Sequence, residues 1–142
     1  MAQFLGRVRA EMRAVDPAVR LGMDVSINWS TVGAGRPDIG HDYRVLAPSV
    51  DQLILWAYFG LETGRDPRWV ARTTDAVRKA NLPVPVTVSV GLWAGPDESG
   101  TLDVESMAYG VLAGETHLVK STNVTPYSRI TDAHWAALND VW

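Results

Sequence analysis

The sequence predicts an α/β protein in which parallel strands alternate with helices, and three observations carry that prediction. Residues 20–29 and 84–93 alternate strictly between aliphatic and small or polar side chains, the period-two mark of a strand. Between such runs lie stripes at helical spacing, each opened or closed by a capping signal. The resulting order, α-β-α-β-α-β-α-β-α, calls for right-handed crossovers and therefore a parallel sheet.

Each element has its own signal. Phe4, Leu5, Val8, Met12 and Val15 form one helical stripe, with Arg7, Arg9, Glu11 and Arg13 largely opposite, and Asp16-Pro17 stops it. In the first strand Leu21, Met23, Val25 and Ile27 oppose Gly22, Asp24, Ser26 and Asn28. A glycine-rich loop follows, and residues 41–47 predict a short helix before Pro48. Residues 51–60 read as the second strand. Asp66-Pro67 opens a helix that turns Val70, Thr74 and Val77 inward and ends near residues 81–83. The third strand sets Val86, Val88, Val90 and Leu92 against Thr87, Ser89, Gly91 and Trp93. Val104, Met107, Ala108, Val111 and Leu112 make the next helix, with Gly114 as its C-cap. Residues 116–122 supply the fourth strand. Thr131 caps a last helix bearing Trp135, Leu138, Val141 and Trp142.

Two architectures satisfy this order. A doubly wound, flavodoxin-like sheet has helices on both faces and wants central strands that are apolar on both sides. A (β/α)8 barrel of the TIM type has helices outside only, and its lumen tolerates polar side chains near the mouth. Here the first and third strands each pair an aliphatic face with a small or polar one. That favours the barrel. A complete barrel takes at least about 200 residues, so this chain of 142 residues holds half of one. The expectation is a single β/α half-barrel domain over residues 1–142. It is a fragment of a longer barrel, a unit that self-associates, or a smaller closed arrangement.

Composition excludes several functions. Thirteen Lys and Arg against sixteen Asp and Glu give a net charge of -3, with no basic stripe, so neither nucleic acid nor an anionic membrane is an expected partner. The longest apolar runs are strand-sized, too short to span a bilayer, and residues 1–17 lack the continuous apolar stretch of a secretory signal. Without cysteine there is no disulfide, thiolate metal site or thiol nucleophile, and the compartment stays open. His41, His117 and His134 lack metal-ligand spacing. Gly33, Gly35 and Gly40 make no dinucleotide or P-loop fingerprint, and no nucleophile elbow is present. No metal or cofactor is expected.

The stretch 40–62 carries a resemblance. His41-Asp42-Tyr43 precedes a short helix, Val50-Asp51 opens a strand, and Trp56-Ala57-Tyr58 closes it. This resembles family-10-like glycosyl hydrolase domains and the hydrolase-like domain of poly-N-acetylglucosamine-processing proteins. There an aromatic-acidic pair leads into such a helix, and the strand ends in Met-Ala-Tyr; Trp56 stands here in place of the methionine. Val90-Gly91-Leu92-Trp93 is similar to the strand that follows. The resemblance implies the C-terminal half of a barrel, strands five to eight, and a carbohydrate-active, glycoside-hydrolase-like domain that acts on or binds an oligo- or polysaccharide. It also implies that the acid/base lies on the strand before residue 20, which would leave this chain a non-catalytic carbohydrate-binding or interaction module.

The barrel rule that ligands meet the C-terminal strand ends selects the candidate residues. They are Asn28 and Trp29, Tyr58 and Glu62, Trp93, and residues 123–127 including Tyr127. Glycoside hydrolysis needs two carboxyl groups about 5 to 9.5 Å apart, and Asp24 with Glu62 is the best pair available. Asp24 either orients a sugar or pairs with a lumen residue such as Lys120; Glu62 either lines a subsite or is a solvated surface acid. Asp42 and Tyr43 can reach over the mouth, whereas Asp51, at the opposite end of its strand, is structural. Trp29, Trp56 and Trp93 can form a stacking platform for sugar rings, while Trp69, Trp135 and Trp142 belong to helix packing.

Overall fold

In the computed structural model, which describes residues 1–31, 33–115 and 119–142, a single four-stranded sheet runs in sequence order. Its strands are β1 (Gly22–Ser26), β2 (Gln52–Ala57), β3 (Val86–Gly91) and β4 (Val119–Thr125). Each neighbouring pair is parallel. Around the sheet lie α1 (Ala2–Val15), α2 (Tyr43–Leu46), α3 (Arg68–Ala80), α4 (Val104–Gly114) and α5 (Asp132–Val141). The chain is therefore α/β with a parallel sheet flanked by helices. No described helix is long and apolar enough to cross a membrane.

The period-two patterning sorts the side chains as alternation requires. Val25, Leu53, Leu55, Val88 and Val90 are buried in one core with Val70 and Val77 of α3, Met107 and Val111 of α4, and Leu138 of α5. On the other side of the sheet Asp24, Trp56, Ser121 and Asn123 are exposed. The register aligns this open face into two cross-strand rows, Asp24–Ile54–Thr87–Ser121 and Ser26–Trp56–Ser89–Asn123. A hydrogen-bond chain reinforces the first row. Gln52 Nε2 donates to Thr87 Oγ1, which lies 2.5 Å from Ser121 Oγ; having accepted from Gln52, the Thr87 hydroxyl is free to donate onward.

Several expectations need correction. The stripe on α1 is covered only in part: Leu5 joins the core and Val8 and Met12 are half-buried, whereas Phe4 is 59% and Val15 89% exposed. α1 also packs on the turn Ala47–Ser49. Arg9 donates to the carbonyls of Val50 (2.7 Å) and Pro48 (3.0 Å), and Arg13 pairs with Asp51. Polar tethers, invisible to a hydrophobic pattern, hold this helix. Gly114 is not the cap of α4, because the helix runs through it and Glu115 takes that place. Its role is clearance, since a Cβ there would stand 3.1 Å from Thr122 Oγ1 and 3.3 Å from Val88 Cβ.

The remaining differences are of extent. The short helix of 41–47 resolves into a two-residue strand (His41–Asp42) paired antiparallel with Gly35–Arg36, then α2 and the turn Ala47–Ser49. β4 continues to Thr125, whose carbonyl accepts from Leu92 N–H at 2.8 Å. Residues 116–118 and the side chain of Lys120 lie outside the described residues, so the expected start of β4 and an Asp24–Lys120 pair go unaddressed. The Thr131 cap is present. Its hydroxyl accepts from the backbone of His134, whose ring bonds back to Thr131 and to the carbonyl of Leu102.

Candidate functional site

The C-terminal end of β1 is fixed by side chains from the segment after it. Ser26 is the last residue of an edge strand, so its backbone groups on the outer side have no strand to meet. Its N–H donates to His41 Nδ1 at 3.1 Å, and its carbonyl accepts from Tyr43 Oη at 3.0 Å. Gly35 makes the turn possible. Its φ is +80°, and a Cβ would stand 2.0 Å from the carbonyl oxygen of His41. Burial raises the pKa of Tyr43 far above the usual tyrosine range, which keeps its hydroxyl a donor.

Three aromatic rings stand in a row at the C-terminal end of the sheet. Trp56 lies parallel to Tyr58, with centroids 5.6 Å apart and planes 7° from parallel. Tyr58 in turn meets Trp93 at 5.2 Å with a 43° tilt. Such offset and tilted contacts suit the ring quadrupoles. Trp56 ends the row with 39% of its surface exposed, a large indole uncovered on a polar face. Ser89 and Asp24 both lie close enough to the Tyr58 hydroxyl to bear on its ionisation. Burial is the main cause of its raised pKa; Ser89 opposes that shift and Asp24 adds to it.

A second feature lies over the end of β1 and the loop after β2. It is a hollow of about 570 Å³ lined by Asn28, Trp29, Arg36, Asp38, Glu62 and Arg65 among others. The carboxamide oxygen of Asn28 accepts from the backbone N–H groups of Ser30 (2.9 Å) and Thr31 (3.1 Å), shaping one wall. Arg36 makes a forked pair with Asp38, at 2.6 Å for its shortest contact, and also feels the charge of Glu62. That pairing raises the pKa of Arg36 and lowers that of Asp38. Arg65 covers the ring of Trp69 at 4.0 Å.

The residues singled out in the sequence thus divide between two places. Asp24, Trp56, Tyr58 and Trp93 belong to the open face and its aromatic row. Asn28, Trp29 and Glu62 line the hollow, so the aromatic platform consists of Trp56, Tyr58 and Trp93 without Trp29. Asp24 acts on the neutral Tyr58 hydroxyl and Glu62 on the Arg36 guanidinium. Asp42 accepts from the N–H groups of Arg44 (2.9 Å) and Val45 (3.1 Å), which makes it the N-cap of α2. Tyr127 is 77% exposed and pairs with Trp135 of α5 at 6.1 Å.

The sequence places Ser89 and Gly91 on the polar face of their strand without a role of their own, and it singles out neither Arg36 nor Arg65. A glycine inside an otherwise regular strand was a usable signal for Gly91, since it marks close approach by another group. Nothing in the local sequence distinguished Arg36 or Arg65. Among the described residues no three His, Asp or Glu side chains converge on a point where a metal ion could sit. The chain matches no protein-family model, no curated protein and no solved structure.

Proposed function

We propose that this chain is a carbohydrate-active, glycoside-hydrolase-like domain, built as half of a (β/α)8 barrel, which binds an oligo- or polysaccharide on the open face of its sheet. The observation that carries this reading is the row Trp56–Tyr58–Trp93, standing beside Asp24 with Trp56 exposed. Sugar rings offer apolar C–H faces rimmed by hydroxyls. An indole surrounded by a carboxylate, serines and an asparagine complements both parts.

The half-barrel reading draws support from strand order. A doubly wound sheet reverses its order at a switch point, whereas here the strands follow one another without reversal. Right-handed crossovers in a sheet ordered this way put every connecting helix on one face. The other face then corresponds to a lumen, which fits its polar lining.

One observation favours the second reading, a binding module without catalysis. Glycosidic cleavage needs two carboxyl groups across one bond, yet Asp24 attends the aromatic row while Glu62 attends Arg36 in the hollow. Titration with chitohexaose and cellohexaose, followed by tryptophan fluorescence, tests the binding. Trp56→Ala and Trp93→Ala are each expected to weaken it roughly tenfold, the scale of a lost stacking contact. No response to either glycan would remove the carbohydrate assignment. Hydrolysis of the same glycans, abolished by Asp24→Asn, would select the enzyme over the module.

A further inference from the structure

We infer that Gly91 is a positioning residue, whose missing side chain is the floor on which Tyr58 rests and the reason the aromatic row exists. Glycine inside a strand is unfavourable unless something uses the space it leaves. The backbone of Gly91 does not require it, because Gly91 is absent from the positive-φ residues and pairs in register with Thr125 like any strand residue. The demand comes from the ring. A Cβ built on Gly91 would stand 2.5 Å from Cδ1 of Tyr58, 2.7 Å from Cγ and 3.1 Å from Cε1. These atoms are the root and flank of the ring, not a tip that can swing aside.

Tyr58 is held at its root and on both sides, so it can yield only by lifting off the sheet. Its chain neighbour Phe59 is 1% exposed and begins the turn Phe59–Leu61, which fixes the backbone. Its ring is flanked by Trp56 on one side and Trp93 on the other. A second close approach secures the far partner. Gly60 brings its backbone so near to Trp93 that a Cβ would stand 2.4 Å from the Trp93 carbonyl oxygen, and its own carbonyl accepts from Gly95 N–H at 3.0 Å. Gly91 therefore sets where Tyr58 lies, and Tyr58 sets the spacing between the two indoles. A methyl group at position 91 lifts Tyr58 and separates the rings while the sheet keeps its register. The consequence for ligand binding rests on the glycan reading above; the consequence for the rings does not.

The test is a double-mutant cycle of Gly91→Ala and Tyr58→Ala on the full chain, read by far-UV and near-UV circular dichroism, thermal melting and titration with chitohexaose and cellohexaose. Gly91→Ala alone is expected to retain the far-UV spectrum, lose the near-UV signal of the coupled rings, and weaken glycan binding roughly tenfold. In the Tyr58→Ala background the same substitution is expected to change nothing further, because the ring it displaces is gone. Equal effects in both backgrounds would show that Gly91 serves the backbone, overturning the inference, as would an unchanged near-UV spectrum in the single variant. Should Gly91→Ala fail to fold, recovery of folding in the double variant supports the inference and continued failure rejects it. If the unmodified chain binds neither glycan, the glycan reading falls, and the spectra and melts still decide the role of Gly91.

Discussion

Tyr43, a side chain with no solvent exposure, donates its hydroxyl to the carbonyl oxygen of Ser26 at 3.0 Å and so closes the edge of β1 from within the chain. Together with His41 on the Ser26 amide, it supplies what a neighbouring strand would otherwise give. Tyr43→Phe keeps the ring and removes the donor, leaving a strand-end carbonyl without its buried partner. A loss of about 1–2 kcal/mol in urea unfolding is expected.

The same residue makes stability depend on alkaline pH. An unfolded tyrosine ionises near about pH 10, whereas burial holds the Tyr43 proton to higher pH in the folded chain. Above about pH 10 the unfolded state therefore binds fewer protons than the native one, and stability falls as pH rises. Below that range the contribution is complete. Tyr58, also raised by burial, acts in the same direction. The informative quantity is accordingly the difference between the unmodified chain and Tyr43→Phe. Urea melts at about pH 9 and about pH 11 should show a smaller alkaline loss in the variant; equal losses would mean that Tyr43 ionises freely when folded.

Asp51 anchors α1. Its carboxylate accepts from Leu21 N–H at 2.9 Å and pairs with Arg13, while Arg9 stands 3.8 Å away. Its side chain is only 11% exposed, so the pairing is better shielded than a surface ion pair. Asp51→Ala is expected to cost about 1–3 kcal/mol and to speed amide exchange across residues 2–15. Asp51→Asn keeps an acceptor for Leu21 and should lose less. Unchanged exchange in the alanine variant would mean that α1 is held elsewhere.

Thr122 is a site where stability can be gained. Among the described residues its buried hydroxyl finds no hydrogen-bond partner, and it faces the close pass of Gly114. An unsatisfied buried hydroxyl costs about 1–3 kcal/mol. Thr122→Val replaces it with a methyl of similar shape, so a gain of about 1 kcal/mol is expected, read as a raised melting temperature. A lowered one would reveal a partner for the hydroxyl.

What the sequence disclosed followed from periodicity. The faces of β1 and β3 were legible because each residue's neighbours alternate in kind, and that alternation alone sends Val25 to the core and Asp24 to the open side. The cap at Thr131 was legible because it is local chemistry, whereas the start expected at Asp66 needs correction: Pro67 takes the N-cap place of α3 without a side-chain cap, and the Asp66 carboxylate accepts from Arg68 N–H just ahead of the first turn. The extent of α1 was also legible from periodicity, but what anchors it was not: the tether joins Arg13 to Asp51 across 38 positions, a relation no local window contains. The aromatic row was only half legible. Trp56, Tyr58 and Trp93 could be placed at strand ends, but that Trp29 turns aside into the hollow depends on a loop shaped by the Asn28 carboxamide. Asp42 looked like a mouth residue because its position suits one; the same position makes it the N-cap of α2.

Parallel sheets are ordinarily buried on both sides, because their crossovers bring helices to the faces. Here one side leaves Asp24, Trp56, Ser121 and Asn123 exposed, and Trp56 is a large apolar surface. β1 is closed at Ser26, yet Gly22 and Asp24 remain exposed at the start and middle of the same edge strand. On the half-barrel reading this surface is a lumen that wants a second half, and another copy of the chain can supply one. Sedimentation velocity across a range of concentrations is therefore expected to show self-association. Trp56→Glu, which puts a second carboxylate on the face that carries Asp24, should weaken it. A monodisperse and thermally stable monomer at every concentration would mean that the open face tolerates water unaided, and the half-barrel reading would lose its main physical consequence.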